Sequence, residues 1–205
     1  MNILCLSLGL GAVDPFLRTH FIGDIKLGYI ATASKVFETA PFVDTDLQTL
    51  RAHGYELIDI DVSLLTPDDF TAQLASVNAL FVSGGNTFFL LQELRRTGND
   101  VVLIEAINSG LPYIGASAGA AVLAPDIDYV EPFDDRDLAP QLTSNNALEV
   151  ISFYPLPHYG IEETTEIYNE YMKDNGEREY VAFTNNQAVV INNGSAYKII
   201  SSAID

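Results

Sequence analysis

Short uninterrupted apolar runs alternate along this chain with stretches whose apolar positions recur at helical spacing. Ile3 to Leu8, Leu27 to Ala31, Leu57 to Val62 and Ala79 to Val82 read as strands, because continuous apolar runs of that length suit a sheet covered on both faces. Phe42 to His53 spaces its apolar residues for an amphipathic helix, with Gly54 as its stop. Thr66-Pro67-Asp68-Asp69 reads as an N-cap with proline at the first helical position, opening a helix towards Ser76. Thr87 to Arg96 is a helix stopped at Gly98. Asp100 is placed to cap the next helix, which ends near Gly110, and Tyr113 to Ala116 is a short central strand.

This alternation predicts an α/β fold with a mostly parallel sheet between two helical layers. The last part differs. Val181 to Phe183, Ala188 to Ile191 and Tyr197 to Ile200 read as strands, and Asn192-Asn193-Gly194 is a hairpin signal between the last two, so an antiparallel addition is expected at one edge. No repeat, low-complexity tract or linker interrupts residues 1–205, which read as a single domain.

Composition narrows the partners. The formal net charge is -18. Such a surface repels phosphate backbones and anionic lipid, which argues against nucleic-acid and membrane partners. It either favours cationic substrates or serves solubility. Cys5 is the only cysteine, so neither an intrachain disulfide nor a cysteine-based zinc site can form, in keeping with a cytoplasmic location. The apolar start lacks a basic segment and soon reaches Asp14 and Pro15, so it reads as a buried strand rather than a signal peptide.

Two strand-to-helix turns could carry chemistry. Ser117 lies in Gly115-Ala116-Ser117-Ala118-Gly119, after a strand and before the helical run Ala118 to Leu123. A serine at such a turn can be held strained and exposed, with the Ala118 N–H at a helix N-terminus placed to stabilise an oxyanion. Ser83-Gly84-Gly85-Asn86-Thr87 also follows a strand and opens a helix. It is either an ordinary capped turn or a second donor, Gly85 N–H. It lacks the Gly-Lys-Ser/Thr of a phosphate loop.

His158, in Tyr154-Pro155-Leu156-Pro157-His158-Tyr159-Gly160, is favoured as a base because two prolines fix its approach from a strand end. His53 ends a helix and His20 lies in a poorly patterned segment. Scattered histidines give no metal-ligand spacing, so neither metal nor cofactor is expected. Asp126, Asp128, Glu131, Asp134, Asp135 and Asp137 match no calcium loop and read as a solvated acidic stretch.

Together these segments resemble the peptidase E family, the aspartyl dipeptidase and cyanophycinase-like serine peptidases. Phe81-Val82-Ser83-Gly84-Gly85-Asn86-Thr87 is similar to its glycine-rich segment, Gly115 to Gly119 to its nucleophile turn, and Pro157-His158-Tyr159 to its proline–histidine segment. The resemblance implies a class I glutamine amidotransferase-like sheet. It also implies a cytoplasmic peptidase, monomer or homodimer, that cleaves short peptides through an acyl-enzyme. Ser117 would be nucleophile, His158 base, Gly85 and Ala118 amides oxyanion donors, and Gly84 and Asn86 part of the substrate-binding turn.

Two positions depart from the family. Where its triad usually ends in Glu or Asp, the matching residue is Asn185, in Phe183-Thr184-Asn185-Asn186-Gln187-Ala188; Glu162, Glu163 or Glu166 could instead supply a carboxylate. Asparagine can orient a histidine ring but gives no charge to an imidazolium, a loss worth about 10⁴-fold in turnover in the serine-protease case. His158 to Met172 also contains no Lys or Arg, so aspartyl specificity is not implied; Arg18 and Arg136 are the other candidate cations. A catalytically weak relative that binds a small molecule or peptide is the alternative. An ordinary α/β-hydrolase is disfavoured by the strand-rich tail after His158.

Overall fold

The computed structural model describes residues 1–192 and 196–203. Its strands are β1 (Asn2–Leu6), β2 (Lys26–Ile30), β3 (Glu56–Asp59), β4 (Ala79–Val82), β5 (Tyr113–Ala116), β6 (Tyr154–Leu156), β7 (Tyr180–Ala182), β8 (Gln187–Asn192) and β9 (Tyr197–Ser201). Seven of them form one sheet in the order β3-β2-β4-β5-β1-β8-β9. β1 to β5 run parallel, β8 is antiparallel to β1, and β9 is antiparallel to β8.

Side-chain alternation explains why these strands read as unbroken apolar runs. Ile3, Cys5, Leu80, Val82 and Tyr113 point into one core, while Leu4, Leu6, Ala79, Phe81 and Ile114 point into the other. The first core is closed by Phe70 and Leu74 of α3 (Pro67–Ala75), by Phe88, Leu90, Leu91 and Leu94 of α4 (Thr87–Thr97), and by Leu103 and Ile107 of α5 (Asn99–Asn108). The second is closed by α1 (Val13–Arg18), through Val13, Phe16 and Leu17, and by α2 (Pro41–Ala52), through Leu50. Three layers result, as the patterning predicts. Two further helices, α6 (Ala118–Ala121) and α7 (Glu162–Asp174), pack on the side of the first core through Ala118, Ala120 and Tyr168.

The helix ends follow local chemistry. Thr66 Oγ1 accepts the Asp69 N–H at 3.2 Å with Pro67 at the first helical position, and Asn86 Oδ1 accepts the Phe89 N–H at 2.8 Å. Gly98 ends α4 in the left-handed conformation, φ 76°.

Several expectations need correction. Gly98, not Asp100, occupies the N-cap of α5; Asp100 lies in its first turn, where a negative charge still suits the helix dipole. The third strand ends at Asp59, short of the apolar Ile60 and Val62, which are buried in the first core. The helix after Ser117 stops at Ala121 rather than Leu123. Val181 to Phe183 does not join the antiparallel edge: β7 pairs in parallel with β6 in a separate two-stranded sheet. The hairpin turn at Asn192-Asn193-Gly194 lies partly outside the described residues, although β8 and β9 do pair antiparallel on either side of it. The segment before His20 contains α1, with Pro15 in the first turn, where a missing N–H breaks no helical bond.

Candidate active site

The neighbouring strands β4, β5 and β1 end side by side, and their carboxyl ends deliver Ser83-Gly84-Gly85, Ser117 and Ser7 to one place, as expected of parallel α/β sheets. Ser117 sits between β5 and α6 with φ 48° and ψ −105°, an unfavourable conformation for a residue with a Cβ. The surroundings hold it there. Its N–H donates to the Leu6 carbonyl at 2.9 Å, and its own carbonyl accepts from Ala120 and Ala121, each at 2.9 Å. The glycines on either side are needed for close approach. A Cβ on Gly115 would lie 2.3 Å from the Gly119 carbonyl oxygen, and one on Gly119 would lie 2.2 Å from that of Val82.

His158 follows β6 with φ 62°, a second left-handed non-glycine residue. Its Nε2 lies 3.0 Å from Ser117 Oγ, and its Nδ1 lies 2.8 Å from Asn185 Oδ1. Asn185 Oδ1 is an acceptor, so Nδ1 carries the proton and Nε2 is left to accept the Ser117 hydroxyl proton.

Ser7, just past β1 and only 2% exposed, ties this arrangement together. Its Oγ accepts the His158 backbone N–H at 2.7 Å and donates to Asn185 Oδ1 at 2.7 Å. The same oxygen lies 3.1 Å from Nδ1. Asn185 is itself anchored, its carbonyl accepting the Gly9 N–H at 2.8 Å. Ser7 was not among the residues singled out from sequence. The sequence places it inside the strand read from Ile3 to Leu8, whereas β1 ends at Leu6, and a lone serine there carries no local mark of a partner that far along the chain.

A cleft of about 300 Å³ opens over Ser117, lined by Gly84, Gly85, Ala116 and His158 and by the apolar Leu8, Phe37 and Phe42. Gly84 faces the serine: a Cβ there would stand 3.4 Å from Ser117 Cβ. Gly85 has φ 138° and packs so tightly on Ala33 that a Cβ would lie 2.3 Å from its carbonyl carbon. The N–H groups of Gly84, Gly85 and Ala118 donate to no backbone carbonyl among the described residues outside helices and strands. Asn86 is placed differently from the rest of its turn. Its Oδ1 caps α4 and its Nδ2 donates to the Asp135 carbonyl at 2.8 Å, so its side chain is committed to structure.

Asp46, on α2, is a second residue the sequence reading passed over. It lines the cleft, yet its side chain is buried. The hydroxyls of Tyr29 and Ser83 both donate to its Oδ2 at 3.3 Å. Burial pushes its carboxyl up to about 6, against the opposing pull of those two hydrogen bonds. A signal was present: Asp46 falls on the apolar stripe Phe42, Val43, Leu47 and Leu50.

The acidic stretch is not uniformly solvated. Asp134 accepts the Thr87 N–H at 2.7 Å, at the start of α4, and burial raises its carboxyl above the usual range. Asp126 accepts from Arg178 at 2.9 Å and from the Tyr154 hydroxyl at 2.7 Å. Glu162, Glu163 and Glu166 are exposed on α7 and make no hydrogen bond to His158. Arg18 pairs with Asp14 on α1, and Arg136 binds the Leu142 carbonyl at 3.0 Å and covers the Phe88 ring. His53 caps α2, and His20 packs edge-on against Phe16, where burial lowers its pKa. Among the described residues no three His, Cys, Asp or Glu side chains converge as a metal site, and no helix is long and apolar enough to cross a membrane.

Residues 12–199 match the model of peptidase family S51. An uncharacterized peptidase of Pasteurella multocida is 38% identical over 196 residues, 92% of this chain and 93% of that one. Peptidase E of Streptomyces coelicolor is 35% identical over 169 residues, covering 78% of this chain and 64% of the relative. A crystal structure from Listeria monocytogenes, provisionally described as a peptidase E, superposes with a TM-score of 0.85 at 32% identity, covering 98% of each chain.

Proposed function

The chain belongs to peptidase family S51, and from that premise we propose that it hydrolyses short peptides by an acyl-enzyme route at Ser117. One observation carries the reading: Ser117 Oγ, His158 Nε2, His158 Nδ1 and Asn185 Oδ1 form a continuous relay with contacts of 3.0 and 2.8 Å. Those distances lie within the reach that general-base activation requires. Ser117 attacks the scissile carbonyl while His158 takes its proton. His158 then protonates the leaving amine, and water repeats the sequence to release the acid. The N–H groups of Ala118 and Gly85 receive the developing oxyanion, and Gly84 leaves room for the substrate. The size of the cleft suits a short peptide better than a folded chain.

The test is labelling with a fluorophosphonate together with hydrolysis of a dipeptide library. Ser117 is expected to be modified and at least one dipeptide cleaved, and Ser117→Ala to lose both. A wild-type protein that does neither would overturn the reading.

Asn185 favours one second reading, a weak or silent relative that binds a peptide or small molecule. A neutral amide orients His158 but does not meet the positive charge the ring acquires. Asn185→Asp separates the two. On a peptidase scaffold held back by an incomplete triad it should raise kcat by at least about tenfold. An unchanged, high wild-type rate would show that the amide suffices.

A further inference from the structure

Asp46 is the only carboxylate among the described residues lining the cleft of about 300 Å³ over Ser117, and it is only 8% exposed; a smaller cavity that Ser117 and His158 also line holds Asp134 instead. Both hydroxyls that reach it, from Tyr29 and Ser83, fall on Oδ2. Oδ1 has no hydrogen-bond or ion-pair partner among the described residues. Apart from His158, which is engaged by Ser117 and Asn185, no residue lining the cleft can carry a positive charge. An unpaired carboxylate in such surroundings destabilises a fold, and an apolar residue there would complete the α2 stripe. The site is therefore built for a partner that arrives from outside.

We propose that Asp46 binds a positively charged nitrogen of the substrate, an ammonium or a guanidinium, held in the cleft beside Ser117. This deepens the peptidase reading and rests on it for the word substrate. Two donors on Oδ2 fix the carboxylate's orientation and leave Oδ1 to face the incoming cation. The fixed geometry discriminates strongly, because a neutral isostere would leave the buried acceptor unmatched. The protein's net charge of -18 draws such substrates towards the molecule. The nitrogen can come from the peptide's free amino terminus or from a lysyl or arginyl side chain.

The experiment compares kcat/KM on matched dipeptides: lysyl against norleucyl, and free against acetylated amino terminus. The wild-type chain should prefer one cationic member by at least about tenfold. That preference should collapse in Asp46→Asn, mainly through KM, and persist in Asp44→Asn, which removes an exposed charge from the same helix. A preference abolished by acetylation identifies the amino terminus, and one that follows lysine identifies the side chain. No cationic preference in the wild type, or one that survives Asp46→Asn, overturns the proposal.

Calorimetric titration of Ser117→Ala with lysinamide and with the same dipeptides reads binding without turnover. Equal binding with and without Asp46→Asn likewise overturns it. Charge-selective binding in a protein that neither labels nor cleaves would defeat the peptidase reading and leave the cation site standing.

Discussion

Ser7 does for His158 what a catalytic carboxylate does in part: it fixes the ring without supplying charge. Its hydroxyl accepts the histidine's backbone N–H and donates to the Asn185 side-chain Oδ1 that Nδ1 also meets, so its removal loosens two contacts at once. Ser7→Ala should lower kcat by about ten- to a hundredfold with little change in KM, since positioning is lost and the cleft is not. Steady-state kinetics on any cleaved dipeptide read this directly. Asp46 makes a prediction of the opposite kind. Its carboxyl is raised from 3.8 to about 6, so between those values the folded state holds a proton that the unfolded chain has released. Stability is therefore lost as pH climbs through that window and stays lost above it. Asp46→Asn should gain on the order of 2 kcal/mol at pH 8 and much less at pH 4, as urea denaturation at both pH values would show. A residue whose replacement stabilises the fold while damaging selectivity is one retained for function.

At the scale of elements, legibility followed locality. β1, β2, β4 and β5 were readable because each is buried on both faces, and α2, α3 and α4 because Gly54, Thr66 with Pro67, and Gly98 mark their ends. β6 and β7 were not readable as a pair, since three-residue strands carry almost no periodicity and their partners are set by tertiary packing. The Ser117 turn and the proline–histidine segment were visible as local motifs, but the contact between them is made only in the fold. Asp46 was visible as a carboxylate on an apolar stripe, whereas Ser7 had no sign at all. The turn itself is tested by Gly119→Ala. The new methyl would meet the Val82 carbonyl, so α6 must shift. A loss of about 1–3 kcal/mol in urea denaturation is expected, with slower fluorophosphonate labelling because Ser117 and the Ala118 amide move with the helix.

For the whole molecule, charge sets the conditions. With 28 acidic against 10 basic residues, self-repulsion opposes the compact state at low ionic strength. Thermal midpoints should rise on going from low to moderate salt as that repulsion is screened. Association with any cationic peptide should slow over the same range, because its steering is screened too. Stability and encounter rate moving in opposite directions is the outcome to look for in parallel melting and stopped-flow measurements.

The relay also has a consequence for how the molecule comes into being. Ser117 and its turn lie in the middle of the chain, but the ring that would activate the serine is steadied from two distant places, Ser7 after β1 and Asn185 before β8. Those two places meet only when β8 pairs antiparallel with β1. A nascent chain, or one whose edge strands have come loose, thus carries a serine without an oriented base. On the proposed chemistry, closing the sheet is the arming step. Hydrolysis then begins only in a fully assembled molecule, and unfinished copies are harmless to the peptides around them.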